Sequence, residues 1–269
     1  MVNIDISPER KRLQLRYADL KKNFAVLTEK RDYMNQFEGP NLCSLYLELL
    51  GHLQYERLAL QIECKALQMR QQLMQAYINR DEEPDLEDVE RQIQEAVAEY
   101  NKILAEEAER LKAARAILNA PLMSEEESKE MKDLYKFLVR QLHPDLHPDQ
   151  AERESDLFLQ VQAAYKLCDI DKLREIALLL DSKKLDKTDL TETYDELQHK
   201  VKLIEDKIKD IREKIDKLLN SFPFIYREKL DDREWVEEQQ NMVKQDIENL
   251  KETKSKLERI VAVMQEYMR

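Results

Sequence analysis

Glycine is nearly absent, with 2 in 269 residues. Sheet proteins spend glycine on frequent tight turns, so the scarcity excludes a strand-rich fold and points to long helices. No glycine-rich phosphate loop exists, which argues against ATP binding by this chain. Cysteine is limited to Cys43, Cys64 and Cys168, an odd set far apart in the chain and set among apolar neighbours. Such thiols suit a reducing compartment and do not form a disulfide framework. No apolar run approaches the roughly 18–20 residues of a membrane helix, and the first residues lack a signal-peptide core. The expectation is a soluble, cytoplasmic protein with no membrane role. A basic excess is also missing: 44 Lys and Arg stand against 56 Asp and Glu, for a net charge of −12. Broad nucleic-acid binding needs a cationic face, so no nucleic-acid partner is expected.

What the chain does have is charge on 37% of residues and hydrophobic side chains on 42%. That balance gives helices with one buried face and a solvated remainder, so the fold class predicted is all-α. Ser7-Pro8-Glu9 opens a first helix, along which Leu13, Tyr17, Leu20, Phe24, Leu27 and Met34 follow heptad spacing as far as Gly39-Pro40. A second helix is expected over residues 41–79, apolar on almost every face from Leu42 to Leu53 and therefore strongly buried. After Asp81-Glu82-Glu83-Pro84, a third carries Leu86, Val89, Ile93, Ala96, Tyr100, Ile103, Leu111 and Leu118 at helical steps. Near the end, Leu190, Tyr194, Leu197, Val201, Ile204, Ile208, Ile211, Ile215 and Leu218 form a coiled-coil seam. Asn220-Ser221-Phe222-Pro223 interrupts it. Val236, Val243, Leu250, Leu257 and Met264 then recur at sevens, joined by Ile247, Val261 and Met268. The similar lengths predict an antiparallel hairpin of 190–218 with 236–268, with coiled-coil homodimerisation as the competing arrangement to a monomer.

The segment between the coiled regions differs in character. Ser124-Glu125-Glu126-Glu127 is a capping box that fixes a helix start. Met131, Leu134, Tyr135, Leu138 and Leu142 line one stripe of the helix, and Lys132, Lys136 and Arg140 recur every fourth residue on another. Pro144 stops the helix and sets His143-Pro144-Asp145 on a loop. A second amphipathic helix from about Gln150 carries Leu157, Phe158, Val161, Ala164, Tyr165 and Leu167 back toward the first.

These residues resemble the J-domain family, the DnaJ-type co-chaperones. Tyr135 to Asp145 are similar to the family's second helix and His-Pro-Asp signature, and Phe158 to Tyr165 to its third helix. The resemblance covers about residues 124–180. With the helical patterns on either side, the expected organisation is three modules: an N-terminal helical bundle over 1–120, a J-domain-like module over 121–185 and a coiled-coil hairpin over 186–269. The resemblance implies docking on a DnaK-type chaperone and stimulation of that chaperone's ATP hydrolysis, with no chemistry and no cofactor in this chain. Lys132, Lys136 and Arg140 would meet an acidic surface of the partner. Asp145 would accept an arginine from it, and Tyr135, Leu138, Phe158 and Tyr165 would form the module's core. The coiled-coil arms would position an unknown client. The chain departs from the family in lacking its glycine-phenylalanine and zinc modules and an evident first helix, for which Ala116 to Leu118 could substitute.

Plainer readings stand beside these. The tripeptide could be a helix stop, and the module a spacer in a coiled-coil scaffold or adaptor that no longer binds a chaperone. The discriminator is exposure of Asp145 and the basic strip. A second His-Pro-Asp, His147-Pro148-Asp149, falls in the following loop, and the first is taken as the signature. The prolines disfavour a metal site at His143, Asp145, His147 and Asp149. His52 and His199 read as packing or surface histidines, Cys168 as a small core residue, and Trp235 as an anchor near the C-terminal turn.

Overall fold

A computed structural model describes residues 8–120, 123–148, 150, 152–181 and 194–267, and every regular element among them is helical. The all-α expectation holds. The elements are α1 (Pro8–Tyr33), a π turn (Met34–Glu38), α2 (Gly39–Tyr46), a second π turn (Leu47–Gly51), α3 (His52–Arg80), α4 (Leu86–Leu118), α5 (Glu125–Leu142), α6 (Glu152–Lys166), α7 (Ile170–Asp181), α8 (Tyr194–Leu219), a 3-10 turn (Phe224–Tyr226), α9 (Arg227–Asp231) and α10 (Arg233–Tyr267).

Gly39-Pro40 does not end the first helix as the sequence predicted. The backbone stays helical through it, with Gly39 at φ −60° and ψ −52° and its N–H donated to the Met34 carbonyl. A π turn shifts the hydrogen-bond ladder by one residue, and so accommodates a proline without an N–H inside continuous helix.

The chain divides into two compact units, one of Met1–Gly39 with Pro121–Phe222 and one of Pro40–Ala120 with Pro223–Arg269. This differs from the three consecutive modules expected. The cause lies in the seams. Residues 190–218 and 236–268 do not form the predicted hairpin with each other: α8 packs along α1, and α10 along α3. A heptad stripe specifies which face of a helix is buried, not which helix buries it. Leu190 and Met268 lie outside the described residues.

In the second unit, α3 and α10 run in the same direction. Gln240 donates to the Leu49 carbonyl at 2.8 Å, Arg57 pairs with Asp246 at 3.1 Å and Lys254 with Glu63 at 2.7 Å, and Met74 packs with Val261 and Met264. Helix α4 returns antiparallel to α3, with Arg70 paired to Glu90 and Arg115 to Glu48 at 3.3 Å. Leu42 to Leu53 is less buried than predicted: only Leu50 and Leu53 of its leucines are buried, and the rest are half-buried. Trp235 sits with Tyr226 and Lys229 around α9, so it anchors a local corner of this unit.

In the first unit, α8 buries Leu197, Val201, Ile204, Ile208, Ile211 and Ile215 of the seam read from the sequence, while Tyr194 at its start is exposed and Leu218 at its end is half-buried. Helix α1 packs on both α8 and α5, while α5, α6 and α7 pack mutually. The face α1 turns inward holds Phe24, Ala25, Thr28, Glu29 and Asp32. Two carboxylates on a buried face need partners, and α5, α6 and, for Asp32, Arg31 of α1 itself supply them.

Candidate functional site

Helix α5 begins where the capping box requires. The Glu127 N–H donates to Ser124 Oγ at 3.2 Å, and the Ser124 N–H donates to the Glu127 carboxylate at 3.1 Å. The helix ends at Leu142 because His143 is extended, at φ −66° and ψ 128°, ahead of Pro144. The loop then closes on itself. The N–H groups of Leu146 and His147 donate to the His143 carbonyl at 2.9 and 3.1 Å.

The two histidines have separate tasks. His147 Nε2 lies 2.9 Å from the Arg140 carbonyl, so its N–H satisfies one of the free carbonyls at the end of α5. His143 Nδ1 accepts the Asp145 N–H at 3.1 Å. Its ring is wedged edge-on between Phe24 of α1 and Phe158 of α6, at centroid distances of 4.8 and 4.9 Å. Burial pushes its pKa down from 6.5 to about 4, so the imidazole is neutral, in the tautomer with a free Nδ1 lone pair. Asp149 lies outside the described residues. Among the described residues no group of three or more His, Cys, Asp or Glu could hold a metal ion.

Tyr135, Leu138, Phe158 and Tyr165 are all buried in the core between α5 and α6, as the sequence predicted. The rings of Tyr135 and Tyr165 stack at 3.9 Å. Their hydroxyls point to α1: Tyr135 donates to Asp32 at 2.7 Å and Tyr165 to Glu29 at 3.0 Å. Burial raises both phenol pKa values strongly, and the adjacent carboxylates add to the effect. The Glu29 carboxyl is itself raised by burial, an effect opposed by the Tyr165 hydrogen bond and by Lys132 and Lys136.

The basic strip lies along this same boundary. The Lys132 ammonium sits 3.6 Å from the centroid of the Tyr33 ring. Lys136 pairs with Asp133 at 2.7 Å, lowering that carboxyl's pKa, and keeps 30% of its side chain exposed. Arg140 is half-buried. Asp145 is exposed and pairs with Lys207 of α8 at 3.1 Å. His143 is therefore not presented freely on the loop as expected, because an aromatic residue of α1 fills the space beside it. Pro144 is exposed at the tip.

Ala116 to Leu118 does not serve as a first helix for the hairpin: Ile117 and Leu118 are each 41% exposed, and the elements packed on α5 are α1, α6 and α7. Leu167 is exposed and does not join the core. Cys168 is half-buried at φ 56° and ends α6 in a left-handed cap, its N–H donated to the Tyr165 carbonyl. The three thiols are free, and burial raises the pKa of each, which makes them poor nucleophiles. His52 and His199 are on the surface.

Phe24, Glu29 and Asp32 were missed as site residues by sequence reasoning. Phe24 lay in the apolar stripe of α1, whereas Glu29 and Asp32 lay outside it, where acidic residues ordinarily read as solvated. Comparison of the chain with family models, with curated proteins and with solved structures found no match. No helix among the described residues is long and apolar enough to cross a membrane.

Proposed function

We propose that this chain is a J-domain-type co-chaperone that docks on a DnaK-type chaperone through α5 and the His143-Pro144-Asp145 loop and stimulates ATP hydrolysis by that partner. The observation that carries the reading is the helical hairpin α5–α6. Its tip holds the tripeptide directly after a helix with Lys132, Lys136 and Arg140 at successive four-residue steps, and the first two act electrostatically on the carboxylate of Glu29.

The chemistry expected of the surface is electrostatic and geometric. Half-buried cations on a fixed helix steer and hold an acidic face, and their effect weakens with salt. Asp145, released from Lys207, offers a carboxylate on a loop pinned by His143 and His147, suited to a bidentate arginine from the partner. The chain performs no bond-making step in this reading and needs no cofactor. The paired helices outside the hairpin would hold a client.

A second reading, a coiled-coil scaffold with a degenerate hairpin, is favoured by two specific observations: the basic strip is partly covered by α1, and Asp145 is already paired. Steady-state ATPase measurements with a DnaK-type chaperone separate the two. The co-chaperone reading expects stimulation by the native chain and its loss in Asp145→Asn. A native chain that never stimulates, or an Asp145→Asn chain that stimulates equally, favours the scaffold.

A further inference from the structure

The face of α1 that contacts α5 has the chemistry expected of the chaperone surface that α5 would bind. Glu29 and Asp32 stand one turn apart: Glu29 accepts from the Tyr165 hydroxyl and feels Lys132 and Lys136, and Asp32, paired with Arg31 of its own helix at 2.6 Å, accepts from the Tyr135 hydroxyl. Tyr33 receives the Lys132 ammonium, and Phe24 closes on His143. Helix α8 adds Lys207 on Asp145, as a partner's arginine would. Lys132, His143 and Asp145 of the proposed docking surface are thus each held by a group of complementary character from α1 or α8, while Lys136 pairs with Asp133 of its own helix.

We propose that α1, carried on α8, is an internal competitor that clasps the docking surface, so that only a partner presenting a helix of like character, with paired carboxylates beside an aromatic ring, displaces it. This inference rests on the co-chaperone reading. Two features make the clasp separable from the hairpin it covers. The hairpin carries apolar residues of its own, Leu138 and Val139 on α5 and Val161 and Ala164 on α6, all buried. The contacts to α1 join apolar packing of Phe24 on His143 to polar pairs, and among the latter the Glu29 carboxyl is buried at a desolvation penalty that raises its pKa. Opening would return that carboxylate to water and expose Lys132 and Lys136 together.

The consequence is a tax on affinity. A partner that binds only the open form shows an apparent dissociation constant raised by the reciprocal of the open fraction, so an open population of about a tenth weakens binding about tenfold. Loosening the clasp from the α1 or α8 side recovers that factor without altering any residue of the docking surface.

The test uses the full chain with a DnaK-type chaperone and reads the concentration giving half-maximal ATPase stimulation. Glu29→Lys with Asp32→Lys sets like charges against Lys132 and Lys136, and Lys207→Glu frees Asp145 from an exposed position that carries no core burden. Circular dichroism and protection of residues 125–142 from hydrogen exchange verify that the hairpin stays folded. The expected result is a fall in the half-maximal concentration of about tenfold for the double variant and severalfold for Lys207→Glu, abolished in both by adding Asp145→Asn. Folded variants with the native half-maximal concentration overturn the clasp while leaving the co-chaperone reading intact. Failure of native and loosened chains alike to stimulate overturns both. Should the double variant misfold, Lys207→Glu decides the question by itself.

Discussion

Replacing His143 with glutamine tests the packing at the hairpin tip through its proton linkage. The imidazole ionises near 6.5 when free and at about 4 in the folded chain, because burial between Phe24 and Phe158 disfavours its charged form. A depressed folded pKa means the unfolded chain binds the proton more tightly. The contribution of His143 is therefore fully present above pH 6.5 and is lost as pH falls toward 4. Between pH 7 and pH 5 the loss is about 2 kcal/mol, because each pH unit below 6.5 removes about 1.4 kcal/mol until the folded imidazole also protonates. This is a ceiling, since the ring keeps part of its hydration. His147, also depressed by burial, adds a loss of the same sign, and Glu29, raised by burial, adds one of opposite sign. Both remain in the variant, so they cancel in the difference. Urea unfolding followed by far-UV circular dichroism at pH 7 and pH 5 should show a pH dependence smaller in His143→Gln by up to about 2 kcal/mol. Direct titration of the ring protons by NMR gives the same quantity. A His143 ring that titrates near 6.5, or identical pH dependence in the two proteins, would refute the burial argument.

Three other outcomes follow from particular contacts. Tyr135→Phe removes the donor to the buried Asp32 carboxylate and should destabilise the first unit by about 1.5–3 kcal/mol in urea unfolding. Ile208→Asp places a carboxylate in the seam between α8 and α1 and should lower the stability of that unit by at least about 3 kcal/mol. Native stability of a folded Ile208→Asp chain in urea unfolding would contradict the burial of Ile208 in that seam. At Gly51 an added Cβ would lie 2.8 Å from a methyl of Leu111 and 3.0 Å from one of Leu47, ends of flexible side chains that can turn aside. Gly51→Ala should therefore stay within about 1 kcal/mol of native in thermal unfolding, while Gly51→Val should cost about 1–3 kcal/mol.

The parts of the fold legible in the sequence were those set by local chemistry. The capping box of α5, its stop at Pro144, the core residues Tyr135, Leu138, Phe158 and Tyr165, and the buried positions of α8 all follow from residue type and spacing within one or two helices. Pairing did not follow. The stripes on α1, α8 and α10 share one period, so spacing cannot distinguish α8 with α10 from α8 with α1. The continuous helix through Gly39-Pro40 was hidden because a π turn has no sequence signature to set against the strong breaking tendency of proline. The acidic face of α1 was hidden for a different reason. Glu29 and Asp32 become inward residues only once two tyrosine hydroxyls, more than 100 positions away in sequence, arrive to receive them.

In the proposed picture, α5 and the His143-Pro144-Asp145 loop form a seat occupied by α1 in the free chain and by a DnaK-type chaperone in the complex. Hydrogen–deuterium exchange of the native chain, with and without excess ATP-bound chaperone, reads both sides of that exchange at once. Residues 132–147 should gain protection on binding while residues 24–33 lose it. Unchanged exchange in both segments, or protection confined to α3 and α10, would contradict this picture.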